Sequence, residues 1–67
     1  MMGCVKVVEL IGCSGKSFDD AVNEAFKRSS KTIRGITGMK VVGQSVKVEN
    51  NKIKEYRVNL KVAFQVE

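Results

Sequence analysis

The chain has 67 residues, with twelve Lys+Arg against seven Asp+Glu, two cysteines, and neither histidine, proline nor tryptophan. That length allows one domain, 1–67, whose core is worth only ~3–5 kcal/mol, so a disulfide, a metal or oligomerisation has to supply the rest. Without histidine no serine has an ordinary activating base and zinc has no ordinary ligand set, which disfavours an enzyme and a structural zinc site, while the net charge of +5 gives only weak attraction to polyanions.

Val5 to Ile11 is β-branched and aliphatic, which predicts a strand ending at Gly12. Lys6 and Glu9 break the apolar run from Met1 to Gly12, so no signal-peptide core is expected there. Cys4 and Cys13 fall on this strand, ~30 Å apart when extended and beyond disulfide reach. Two unpaired thiols, no targeting segment and no run of membrane-spanning length point to the cytoplasm.

After a turn at Ser14-Gly15-Lys16-Ser17, Ser17 opens a capping-box pattern with Asp20. The helix is expected to run to about Arg34, with Phe18, Ala21, Val22, Ala25, Phe26, Ser29, Thr32 and Ile33 on its inner stripe. Asp19, Asp20 and Glu24 lie early, and Lys27, Arg28, Lys31 and Arg34 late, an order that complements the helix dipole. The three acidic residues could hold a hard cation, but capping and the dipole already account for them. Gly35 suits the left-handed residue that follows a helix end.

Met39 to Glu49 reads as a second strand, with Val42, Val46 and Val48 on one face, and Asn50-Asn51 as a tight hairpin turn. From Lys54 to Val66 alternation is strict. Tyr56, Val58, Leu60, Val62, Phe64 and Val66 share one face, and Glu55, Arg57, Asn59, Lys61, Ala63 and Gln65 the other. Such a strand reaches ~40 Å, while a compact chain of this length is only ~28 Å across, so it either bends sharply or is shared with another subunit. The order β-α-β-β and a right-handed crossover leave a gap that the last strand fills. The expected fold is α+β: a three-stranded antiparallel sheet, order 1-3-2, packed on one helix. The polar face of the last strand is either an ordinary exposed face or, inside an assembly, a wet cavity or ligand site.

Other motifs are weak. Gly35-Ile36-Thr37-Gly38 matches the loop of KH domains, but it joins a helix to a strand and not two helices. A nucleic-acid-binding module would need aromatics on an open sheet face, whereas Phe18, Phe26, Tyr56 and Phe64 all fall on expected core faces, so nucleic acid is a disfavoured partner. Cys4 and Cys13 lack an activating neighbour and read as small hydrophobes.

Read together, Val8-Glu9-Leu10-Ile11-Gly12-Cys13-Ser14, Ser17-Phe18 with Ala21-Val22, Ser30-Lys31-Thr32-Ile33-Arg34, and Glu55-Tyr56-Arg57-Val58-Asn59-Leu60-Lys61-Val62-Ala63-Phe64 resemble the dodecins over nearly the whole chain. The resemblance implies a hollow homododecamer that binds flavin, riboflavin or FMN, in stacked pairs and stores it without turnover. It also places the cofactor-binding positions at Gly38, Arg57, Ser45 and Gln65. The usual residue at Gly38 is a tryptophan that stacks on the flavin, and at Arg57 a glutamine that pairs with its pyrimidine edge. Ser45 and Gln65 match positions where some members carry arginines near the cofactor phosphate. With all four replaced, the standard flavin site is expected to be weakened or lost. The alternatives are a dodecin-like assembly for another small or anionic ligand or a metal ion, and, from another class, the nucleic-acid-binding module.

Overall fold

The structure is a computed structural model and describes residues 3–66. Met1 and Met2, part of the stretch read for a targeting signal, lie outside them. Four elements follow in order: β1 (Cys4–Ser14), α1 (Phe18–Ser29), β2 (Ile36–Glu49) and β3 (Lys52–Val66). The strands form one antiparallel sheet in the order β1-β3-β2, with β3 filling the central gap that the crossover through the helix leaves. No helix among the described residues is long and apolar enough to cross a membrane.

The β2–β3 hairpin turns through Asn50 and Asn51, both at positive φ (52° and 63°). This is the backbone of a two-residue turn that matches strand twist, and Asn tolerates it better than most residues. The body is elongated, 50 × 20 × 14 Å with a radius of gyration of 13.7 Å, against ~11 Å for a compact chain of this length. The long strand therefore extends past its own globule instead of wrapping it.

Helix α1 starts on Ser17, whose side chain accepts from the Asp20 amide at 3.0 Å. The Ser14 hydroxyl, at the end of β1, donates to Asp20 Oδ2 at 2.6 Å and accepts from the Lys16 amide at 2.9 Å, which stitches strand to helix. Losing an N-cap of this kind costs ~1 kcal/mol. Ser17→Ala should therefore lower Tm by about 4–8 °C in thermal unfolding at matched protein concentration, and an unchanged Tm would remove the cap from the account.

The helix ends five residues earlier than its pattern predicts, at Ser29. The hydroxyls of Ser29, Ser30 and Thr32 donate to the carbonyls of Phe26, Lys27 and Ser29. The Lys31 and Thr32 amides reach back only three residues. Short hydroxyl side chains compete with helix propagation in this way. Gly35 does take the left-handed conformation, φ 70°, but in the following loop, where its carbonyl accepts from the Gln65 amide at 2.9 Å.

Ala21 and Ala25 face Val58 and Leu60, with Leu10, Phe18, Val22 and Met39 packed around them, and Val62 is also fully buried. Phe18 meets Tyr56 edge to face at 5.1 Å. Phe26, expected on the inner stripe, is about half exposed. The strand-two face also differs from expectation: Val41 and Val46 lie opposite Leu60 and Tyr56 on the helix side, because a register shift falls between Val41 and Gly43 and leaves Val42 as the extra residue. A bulge of this sort inverts a simple period-two reading.

Candidate functional site

The sheet face turned away from α1 follows from the register, since directly paired residues share a face. Across the three strands its rows run Val7·Ala63·Gly38, Glu9·Lys61·Lys40, Ile11·Asn59·Gly43 and Cys13·Arg57·Ser45, with Val5·Gln65 at one end and Glu55·Lys47 at the other. Gly38, Ser45, Arg57 and Gln65 therefore all lie on this one face.

They do not converge within one chain. Ser45 sits directly opposite Arg57. Gly38 is opposite Ala63, six residues along β3 from Arg57, which is ~20 Å in an extended strand. Gln65 is two residues further, beside a groove of about 510 Å³ that Lys6, Arg34 and Phe64 also line. A ligand touching both Gly38 and Arg57 would have to span that length or bridge two copies.

At Gly38 a Cβ would meet nothing within 4 Å, so the position is open enough for a large side chain. Arg57 is engaged. Its Nε donates to Glu55 Oε2 at 2.5 Å, two residues away on the same strand face. The hydrogen bond from Arg57 and its positive charge hold the Glu55 carboxyl below the usual carboxylate range, with smaller contributions from Lys47 and Cys13. The same pairing raises the already high affinity of Arg57 for its proton. Both groups are charged at neutral pH, and the guanidinium that could attract an anion is largely answered by its neighbour. Period two places Glu55 beside Arg57 on one strand face, so alternation alone is the signal that pairs them.

The acidic residues at the helix start are otherwise occupied, Asp20 with Ser14 and Glu24 with Lys27 and Arg28 at 4.0 and 3.6 Å. Among the described residues no group of three or more Cys, Asp or Glu gathers where it could hold a metal ion. Cys4 and Cys13 are free and exposed at the two ends of β1. A second groove, about 530 Å³, runs between α1 and β1 past Gly12, Ala25, Arg28 and Ile33, and contains none of the four predicted positions.

The fold and this face define a small antiparallel α+β protein whose open sheet carries polar side chains and no catalytic constellation among the described residues. The dodecin family model matches residues 4–67. A dodecin of Thermus thermophilus is 34% identical over 62 residues, 92% of this chain and 90% of its own. The calcium dodecin of Mycobacterium tuberculosis is 31% identical over 65 residues, 97% of this chain and 92% of its own. The structure of dodecin from Streptomyces coelicolor superposes with a TM-score of 0.93 at 30% identity, covering 96% of this chain and 91% of that one. The chain belongs to the dodecin family, and as a member it is a ligand-binding protein and not an enzyme.

Proposed function

We propose that this chain is one dodecin-like domain that assembles into a closed homo-oligomer, a hollow dodecamer, and binds a small ligand on the sheet faces that meet between copies. The observation that carries the assembly is the apolar surface left uncovered. Val5, Val7 and Ile11 on the open face of β1, and Val41, Val46, Val48 and Ile53 along β2 and the hairpin, are 40–58% exposed. A 67-residue body with so few fully buried side chains gains stability by covering that surface with copies of itself.

The ligand of this reading is a flavin, riboflavin or FMN, held more weakly than in members that offer a stacking tryptophan. Gly38 supplies no ring to stack on, and the two halves of the family site lie ~20 Å apart in one chain, as expected of a site completed by a second copy. Free exposed cysteines fit a reducing cytoplasm. A second reading is favoured by the Mycobacterium tuberculosis relative, which is a calcium dodecin: the assembly would hold a cation shared between copies. Native mass spectrometry of the purified protein tests all of these together. The expected result is one closed oligomer with a small retained mass or none. A monomer at micromolar concentration would overturn the assembly, and retained calcium would favour the second reading.

A further inference from the structure

Lys40 and Lys61 lie directly opposite each other on β2 and β3, on the sheet face turned away from the helix. A cross-strand pair has its Cβ atoms ~5 Å apart, and like charges so placed repel. Neither ammonium makes an ion pair among the described residues. Glu9 stands on the other side of Lys61 in the same row but makes no contact short enough to count as one. The other lysines of the hairpin differ: Lys47 and Lys54 both hold Glu49, at 3.6 and 2.8 Å.

The floor around the pair is bare. The flanking β2 residues on this face are Gly38 and Gly43, and the flanking β3 residues are Ala63 and Asn59. A Cβ at Gly38 would meet nothing, and one at Gly43 would only touch Asn59 at 4.0 Å. Two ammonium groups without a close ion-pair partner, with Glu9 as the one carboxylate of their row, therefore stand over a floor that is small on β2 and β3 and bordered by Val7 and Ile11 on β1.

The geometry points to a phosphate subsite: Lys40 and Lys61 together hold a phosphate group, and the open row Val7·Ala63·Gly38 beside them accepts the rest of an organic phosphate monoester. Two ammonium groups offer six N–H donors and two charges to a dianion, and the anion removes the repulsion between them. The subsite rests on the ligand-binding reading above and narrows its ligand from flavins in general to phosphorylated ones.

Inorganic phosphate is the first probe, because it needs no ring. In the unaltered protein at low ionic strength, the side-chain NMR resonances of Lys40 and Lys61 should move with one shared affinity, and those of Lys47 should not. Lys40→Ala should weaken the effect at Lys61 by about tenfold, the loss of one charge-assisted contact. Equal small shifts at all three lysines would show diffuse charge attraction and overturn the subsite. Calorimetry with FMN and riboflavin separates the two readings. FMN should bind about tenfold more tightly, and the advantage should vanish in Lys61→Ala and survive in Lys47→Ala. Equal affinity for both flavins sinks the subsite and leaves flavin binding standing. Binding of neither flavin sinks the flavin reading, while the phosphate shifts still decide the subsite.

Discussion

Gly12→Val should leave the protein without a docked helix, as loss of cooperative thermal unfolding and of the native oligomer. Gly12 sits on the helix face of β1, opposite Val58. A Cβ there would lie within 3 Å of two groups, the Ala21 carbonyl oxygen at 2.4 Å and Ala25 Cβ at 2.9 Å. The first is backbone in the middle of α1, so no rotamer change can move it aside. The helix has to lift from the sheet along the line where Ala21 and Ala25 bury against Val58 and Leu60. Overpacking of this kind costs ~1–3 kcal/mol and more against fixed backbone, comparable to the whole core of a chain this small. Gly12→Ala should already lower Tm by more than Ser17→Ala does. Ala25→Gly should rescue it only in part, because the carbonyl remains. Circular dichroism melts of the series at one protein concentration check the order. A Gly12→Ala protein with an unchanged Tm would mean that the helix rides further from the sheet than 2.4 Å implies.

The role of Gly12 was not readable beforehand, and the reason is physical. A glycine at the end of a β-branched run looks like a strand terminator, and only the packing distance of the helix reveals a close approach. By contrast, the long strand, the 1-3-2 order and the Asn50-Asn51 turn follow from local rules: period-two alternation, crossover handedness and tolerance of positive φ. Periodicity misleads where local competition decides. Three hydroxyls ended α1 before its apolar pattern did, and a register shift at Val42 moved the inward face of β2. The candidate site was half legible. That Arg57 lies on the open face follows from alternation alone. That Ser45 faces it while Gly38 lies ~20 Å away requires the register, which the bulges set.

Gly38→Trp combined with Arg57→Gln is expected to raise riboflavin affinity by about three orders of magnitude, read as quenching of flavin fluorescence on titration. The tryptophan contributes most. Covering one ring face removes ~100 Å² of apolar surface from water, worth about 2.5 kcal/mol. Stacking adds about 0.5–1.5 kcal/mol per aromatic pair. Together that is about 3–4 kcal/mol, at 1.4 kcal/mol per tenfold. Nothing stands where the side chain would start, so the substitution should not disturb the fold. Arg57→Gln contributes less. A guanidinium can only donate, while an amide both donates and accepts, which matches a flavin edge bearing carbonyls and an imide N–H. The hydrogen bond gained is worth about 1 kcal/mol. Its side effect on the protein is small, because the Glu55 carboxylate that Arg57 leaves is part-exposed and remains hydrated. The single variants separate the contributions: Gly38→Trp alone should recover most of the gain, and Arg57→Gln alone about tenfold or less. If the unaltered protein already binds riboflavin tightly, the flavin lies elsewhere than on Gly38. If instead Gly38→Trp gains nothing while the oligomer stays intact, the face carrying Gly38 does not meet the flavin, and the grooves beside β1 and Gln65 become the places to look.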